Sequence, residues 1–380
     1  MAQVLYRKYR PKTFAEIEGQ EHIVRTLQGA LLSGRVGHAY LFCGPRGTGK
    51  TTMARLLAKS LNCLNYDREG ISEKNKGDVP CNKCNFCDAI NNGNSLDLIE
   101  IDAASNRGID EIRNLKDSAM VAAPGGKYKV FIVDECHMLT PPAFNALLKI
   151  LEEPPAHVVF VLATTEPHKV FDTILSRVQR FDFKKISADG IVRELKRIAL
   201  AEKINVEESA LVALASAASG SLRDAISSLS KLIAYTGSAK ITAEDAAEIL
   251  GVVPLQVHEN LIDLIAQKKP QEAIAQISTL FESGVELEHF NRQFIRHLRA
   301  LLIAKIGYFP AVPATQTLLR SVGASDGQAS LTSLPAQAGM TPEFLIKAIN
   351  LFVRAGTELK FSPIPQLPLE LAILELTKTS

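Results

Sequence analysis

Long apolar runs are missing from this chain of 380 residues. Uncharged stretches such as Val158 to Thr165 fall far short of the ~20 residues that span a bilayer, which excludes a transmembrane helix. The opening Met1-Ala2-Gln3-Val4-Leu5-Tyr6-Arg7 lacks a secretory apolar core, so the expected location is the cytoplasm. Bulk charge is also missing. The formal net charge is +2, and any nucleic-acid binding has to come from local patches. Cysteine is scarce, with six in the chain, which argues against a disulfide framework in this compartment. No internal repeat is evident, which sets solenoids aside. What remains is 46% apolar and 22% charged, the composition of a globular protein. The length suggests two or three domains.

The strongest positive signal is Gly44-Pro45-Arg46-Gly47-Thr48-Gly49-Lys50-Thr51, which fits G-x-x-x-x-G-K-[ST] at every fixed position. An apolar strand, His38 to Cys43, precedes it, and a helix beginning with Thr52-Met53-Ala54 follows. The glycines let the backbone wrap phosphate oxygens at a helix N-terminus, where the dipole favours negative charge. Lys50 is expected to reach the terminal phosphates of a nucleoside triphosphate and Thr51 to hold magnesium.

A second signal follows that helix. Between Asn62 and Asn94 the periodicity disappears and Asn, Asp, Gly and Lys accumulate, as in a surface insertion. It carries Cys63, Cys81, Cys84 and Cys87. Four thiolates with two-residue spacers suit a closed tetrahedral zinc site, and a polar loop of this length needs such a clamp to order itself. Reduced free thiols and an iron–sulfur cluster are the competing readings. Cys43 and Cys136 read as core residues.

Leu96 to Asp102 reads as a strand, Ile109 to Met120 as a helix, and Tyr128 to Val133 as a buried strand ending on Asp134-Glu135. A carboxylate at a strand end beside a phosphate loop can take a magnesium-bound water, and its neighbour can polarise the attacking water; these roles fall to Asp134 and Glu135. His157 to Thr165 is a further strand ending in hydroxyls, which suit either a γ-phosphate contact or a helix cap. Strands near 40, 98, 131 and 160 alternating with helices give an α/β doubly wound parallel sheet, with nucleotide at the strand C-termini. From about Ser187 the strands stop. Helices read at 187–203, 207–218 and 221–235; 243–305 and 341–378 are helical, and Val312 to Met340 reads as a loop with a short helix. The expected domains are 1–182, with the cysteine insertion at about 62–92, then 183–240 and 243–380.

In combination, several stretches resemble the AAA+ ATPases and, within them, the motor subunits of bacterial replicative clamp loaders. They are Tyr9-Arg10-Pro11 with Phe14 and Gly19-Gln20, the phosphate loop, the four-cysteine insertion, Val133-Asp134-Glu135, Asn145 to Lys149 with Leu151-Glu152-Glu153-Pro154-Pro155, Ala163-Thr164-Thr165, Ser176-Arg177 and Gly220 to Asp224. The resemblance implies a P-loop AAA+ domain with a zinc insertion, a helical lid and an all-α collar. It implies that Tyr9, Arg10 and Pro11 line the adenine site, that the loop residues Gly44, Pro45, Gly47, Thr48, Gly49, Lys50 and Thr51 with Thr52 hold ATP, and that Thr51 and Asp134 hold Mg2+. Thr164 is implied as a sensor of the γ-phosphate, Arg223 as a second sensor on the lid, and Arg177 as an arginine finger acting in trans. Where the family has Ser-Arg-Cys, this chain has Ser-Arg-Val. Arg107 and Lys149 fall where the family tracks template phosphates.

The implied activity is ATP hydrolysis within a DNA polymerase III holoenzyme, opening a sliding clamp and loading it onto primer-template DNA. The implied partners are other loader subunits, in a five-membered ring held by the collar. Two rivals stand beside it. Asp134-Glu135-Cys136-His137 spells a D-E-x-H box, as in helicases, and a nucleotide-binding scaffold that never turns ATP over is the other.

Overall fold

Three near-continuous apolar runs become the middle of a parallel sheet. They are β1 (Ala39–Cys43), β3 (Lys129–Asp134) and β4 (Val158–Thr164), with β2 (Leu98–Asp102) and β5 (Gln179–Asp182) outside them in the order β2-β3-β4-β1-β5. The computed structural model describes residues 4–66, 79–237, 240–251, 253, 255–306 and 340–378. Strands buried on both faces need no alternation of polarity, and β1 and β4 are buried throughout. Alternate residues enter two separate cores. Tyr40, Phe42, Val130, Ile132 and Val161 pack on one face with Ile23, Leu27 and Leu57. Leu41, Cys43, Phe131, Val133, Phe160 and Leu162 pack on the other with Ile112, Leu115 and Leu147.

The helices around the sheet are α1 (Leu5–Lys8), α2 (Glu21–Leu32), α3 (Lys50–Leu61), α4 (Asn85–Asn92), α5 (Ile109–Met120), α6 (Pro141–Glu152) and α7 (Asp172–Leu175), followed by α8 (Ala188–Ala201), α9 (Glu208–Ala217) and α10 (Leu222–Thr236). Two compact units emerge: residues 1–204 with 214–234, and residues 205–213 with 235–380.

The four-strand expectation requires correction. The fifth strand, β5, pairs in parallel with β1 from Tyr40↔Gln179 to Cys43↔Asp182. Its residues Gln179, Arg180 and Asp182 are exposed, because an edge strand keeps one flank in water and tolerates charge. The insertion is not wholly aperiodic either. Its α4 buries Cys87 and Ile90 and stops at Gly93, whose φ of 74° is left-handed. Residues 67–78 of that insertion, and the loop expected at 312–340, apart from Met340, lie outside the described residues.

The second unit is helical apart from one isolated bridge, Val206↔Ile241. Its helices are α11 (Ala243–Leu250), α12 (Leu255–Ala266), α13 (Pro270–Glu282), α14 (Leu287–Lys305), α15 (Pro342–Glu358) and α16 (Leu367–Lys378). Thr242 and Asp245 close a reciprocal capping box at the start of α11. One core joins Leu261, Ile277, Phe290, Phe294, Leu298, Leu345, Phe352 and Ile373. Gly356 permits a close approach between α14 and α15. A Cβ there would stand 2.7 Å from Asn291 Nδ2, which donates to the Phe352 carbonyl at 3.0 Å. No helix among the described residues is long and apolar enough to cross a membrane.

The helix behind the phosphate loop is fixed to β3 by one buried amide. Asn62, just past α3, donates from Nδ2 to the Tyr128 carbonyl at 2.8 Å, while its Oδ1 accepts from the Lys127 and Tyr128 N–H groups, each at 2.9 Å. Asn62→Ala removes all three of these hydrogen bonds and is expected to destabilise the nucleotide unit by about 2–4 kcal/mol. Denaturant unfolding checks this, and a loss below ~0.5 kcal/mol, the range of an ordinary surface change, would contradict it.

Candidate nucleotide site

Parallel strands deliver all their carboxyl ends to one edge of a sheet, and the site assembles there. Cys43 at the end of β1 lies in register with Thr164 at the end of β4, and Asp134 ends β3 between β4 and β2. The loop then turns back into α3. Gly44, Gly47 and Gly49 have φ of 147°, 75° and 102°. A side chain at Gly44 would stand 2.5 Å from the Phe183 carbonyl oxygen, and one at Gly47 2.0 Å from Ser221 Oγ. Backbone conformation and space therefore both demand glycine at these two positions.

Lys50 is buried. Its Nζ donates to the Gly44 carbonyl at 2.7 Å and the Pro45 carbonyl at 2.9 Å, so the ammonium lies over the loop it belongs to. Burial pushes its pKa down, and the nearby Glu135 and Asp134 carboxylates oppose that shift. Thr48 Oγ1 also donates to the Pro45 carbonyl, at 2.9 Å. Thr51 Oγ1 donates to Asp134 Oδ2 at 2.8 Å. A hydroxyl and a carboxylate this close, both oxygen donors, suit a hard divalent cation such as Mg2+.

Glu135 sits in left-handed backbone, φ 48° and ψ 45°, a conformation that costs a non-glycine residue about 1–3 kcal/mol and clusters at functional sites. Its Oε2 accepts from the Thr165 N–H at 3.1 Å and from Thr165 Oγ1 at 2.9 Å. Thr164 is fully buried. Its Oγ1 accepts from the Glu166 N–H at 3.0 Å and lies 3.0 Å from His137 Nδ1.

The segment leading into α10 closes over the loop. The Leu222 N–H donates to the Gly47 carbonyl at 3.2 Å, which sets Arg223 beside the phosphate loop. There its guanidinium lies 5.0 Å from the Tyr6 ring centroid, within cation–π range. Arg10 shares this region. Burial is the main cause that lowers its pKa; Arg55, Arg223 and Arg7 add to the shift and Glu100 opposes it. Mutually repelling arginines of this kind suit an anionic ligand. The Tyr9 hydroxyl is hydrogen-bonded to Glu202, just past α8, which holds its pKa up. Pro11 and Thr52 are half-buried.

Arg177 is not brought to this edge. With Ser176 it lines a cavity of about 530 Å³ together with Gly37, His38, Leu151 and Glu152, beside the amino end of β1. The phosphate loop leaves the carboxyl end of the same strand. Arg177 pairs with Glu152 at 2.7 Å and also donates to the Thr173 carbonyl and Ser176 Oγ. Arg107 and Lys149 are exposed. The Arg107 carbonyl accepts from the N–H of Thr140, the residue before α6, and Lys149 stands in the last turn of α6.

The four cysteines do converge. The sulfurs of Cys63, Cys81, Cys84 and Cys87 lie within 4.8 Å of one another, and Cys81 Sγ to Cys87 Sγ is 3.9 Å. A tetrahedron with Zn–S bonds of ~2.3 Å has an edge of ~3.8 Å, so the set fits a thiolate-bound zinc ion. Hydrogen bonds from the Cys87 thiol and the Cys81 N–H lower the pKa of Cys63. Cys43 and Cys136 are buried apart from this cluster, and burial pushes both thiols up.

The sequence reading overlooked His137, Glu152 and Ser221 as members of these arrangements. The signal for His137 was its place three residues after Asp134 on the short turn out of β3, which sends its ring back toward the strand ends.

Three family models match consecutive stretches. They are described as DNA polymerase III, delta subunit (residues 19–187), DNA polymerase III clamp loader subunit, ATPase lid domain (190–238), and DNA polymerase III subunits gamma and tau domain III (241–380). The tau subunit of DNA polymerase III from Bacillus subtilis is 41% identical over 379 residues, covering 100% of this chain and 64% of that protein. The tau subunit from Escherichia coli is 37% identical over 98% of this chain and 55% of that protein. This chain thus spans less than two thirds of the length of either relative. Among solved structures, the Thermotoga maritima RuvB Holliday junction branch migration motor aligns with a TM-score of 0.47 and 17% identity, over 86% of this chain and 100% of that chain.

The cysteine geometry makes a metal prediction. Gentle purification is expected to yield about one zinc per chain by elemental analysis, and Cys84→Ser to lower that content and the thermal midpoint together. Metal content near zero in a folded wild-type chain would contradict it.

Proposed function

Because this chain belongs to the gamma and tau family of DNA polymerase III clamp-loader subunits, we propose that its site binds and hydrolyses ATP to open a sliding clamp and load it onto primer-template DNA. The observation that carries the reading is the convergence of Lys50, Thr51, Asp134, Glu135 and Thr164 at one sheet edge under the Gly47–Leu222 contact. On this reading Tyr9, Arg10 and Pro11 flank the adenine, and Lys50 moves off its own carbonyls to neutralise phosphate charge. Thr51 and Asp134 hold Mg2+, which supplies charge neutralisation at the phosphate oxygens when bound. Glu135 polarises the attacking water once it leaves Thr165, and Thr164 donates a hydrogen bond to the γ-phosphate. Arg223 senses the same group from the lid, residues 183–240.

Arg177 serves the neighbouring subunit. Its place beside the amino end of β1 supports this, since its own phosphate loop is at the other end of that strand. The four cysteines clamp the insertion around zinc. Residues 243–380 form the collar that joins this chain to other loader subunits, in a ring of five. Arg107 and Lys149, both exposed near α5 and α6, contact template phosphates, which fixes position without reading bases. The work comes from the different affinities of the ATP and ADP states for clamp and DNA. The site of action is the cytoplasm. The helicase reading has little support, because the described residues hold a single five-stranded sheet and no second one to complete a helicase motor.

The test is ATP turnover by the loader reconstituted with its partner subunits, with and without clamp and primed DNA. Hydrolysis is expected to rise with both. It is expected to fall at least ~100-fold in Lys50→Ala and in Glu135→Gln, with Glu135→Gln still binding ATP, as for removal of a positioned catalytic group. Turnover indifferent to both substitutions would favour the non-hydrolysing scaffold, and unaided duplex unwinding would favour the helicase.

A further inference from the structure

We propose that His137 is a positioning residue that couples Thr164 to Glu135; the inference rests on the ATPase reading above. His137 lies on the one-turn helix Cys136–Met138, between β3 and α6, with only 5% of its side chain exposed. Its Nδ1 is 3.0 Å from Thr164 Oγ1 and 3.4 Å from Glu135 Oε2, and its Nε2 is 3.6 Å from Glu166 Oε1. One ring thus touches the candidate γ-phosphate sensor and the candidate water-polarising carboxylate, and the reading above uses it for nothing.

The hydrogen-bond inventory shows what the ring can do. Thr164 Oγ1 already accepts the Glu166 N–H. A hydroxyl has one proton to give and two lone pairs to fill. If His137 carries its proton on Nδ1 and donates it to Thr164, both lone pairs are occupied, and the threonine proton is left for a phosphate oxygen. With the proton on Nε2 instead, the hydroxyl proton would be drawn to Nδ1 and lost to the phosphate. The Nδ1–H tautomer therefore makes Thr164 a donor. The same nitrogen lies within reach of two oxygens, 3.0 and 3.4 Å away. Any shift of the ring toward Glu135 competes with Thr165 for the carboxylate, which now takes both of its Thr165 hydrogen bonds on the oxygen nearest His137. The ring is almost fully enclosed, so movement at the sensor is felt at Glu135 directly. The left-handed backbone at Glu135, φ 48°, turns the chain so that residues 135 and 137 can both face this point.

The experiment compares His137→Ala and His137→Asn with wild type in the reconstituted loader with clamp and primed DNA, reading kcat and KM for ATP and, separately, affinity for a fluorescent ATP analogue. The Asn side chain carries an N–H donor one bond beyond Cγ, as Nδ1 does. His137→Ala is expected to lower kcat at least ~10-fold, about 1.4 kcal/mol, with KM and analogue affinity within about twofold, a change RT ln 2 keeps below ~0.5 kcal/mol. His137→Asn is expected to recover at least ~3-fold of that loss, since it restores the donor. The inference is overturned if His137→Ala keeps its kcat, if analogue affinity falls in parallel with kcat, or if the two variants are equally impaired. A wild-type loader without clamp- and DNA-stimulated hydrolysis would overturn the ATPase reading itself, and with it this one.

Discussion

The constraint on which the rest depends is that every strand of this sheet runs the same way. Parallel register places Cys43 beside Thr164 and Asp102 beside Asp134, so the phosphate loop, the acidic pair and the threonine meet without any long-range search by side chains. The hydrogen bond from Thr51 to Asp134 then crosses from the first turn of α3 to the end of β3. The same constraint separates functions. Whatever sits at the amino end of β1 cannot reach the phosphate loop at its carboxyl end, and Arg177 is at the amino end. On the proposed reading, a lone chain therefore holds half of a site.

The chain also holds its charged groups in check in a consistent way. Lys50 is tied to the Gly44 and Pro45 carbonyls, Glu135 to Thr165, Arg177 to Glu152 and Arg223 to the Tyr6 ring. Each contact satisfies a charge or dipole within the chain itself. Buried or half-buried charges without partners are expensive, so the contacts of Lys50 and Glu135 stabilise the carboxyl edge of the sheet. On the proposed reading they are exchanged for contacts with ATP when it binds.

How much of this was legible in the sequence follows from what carries each feature. The phosphate loop, the β3 run ending in Asp134-Glu135 and the apolar β4 run carry strong local signals, because burial on both faces and phosphate wrapping leave few residue choices. The cysteine spacing likewise foretold the convergence of four sulfurs. Strand β5 was invisible because Gln179-Arg180-Phe181-Asp182 is short and polar, and only pairing with β1 makes it a strand. Helix α4 was hidden in the same way, with Cys87 and Ile90 as its only buried residues. The pairing of Arg177 with Glu152, the approach of Ser221 to Gly47 and the contact of His137 with Thr164 join residues 25 to 174 positions apart. No periodicity encodes such contacts, which belong to the folded backbone.

The central claim is that the site of one chain is completed by the arginine of its neighbour. The most direct test is to assemble the loader with Arg177→Ala in every copy of this chain and measure ATP affinity and single-turnover hydrolysis on the same preparation. An arginine supplied in trans is worth ~10³–10⁵ in rate. The account predicts ATP binding within about twofold of wild type, below ~0.5 kcal/mol, with hydrolysis slower by at least ~100-fold. Hydrolysis at the wild-type rate in that assembly, with ATP bound, would contradict it.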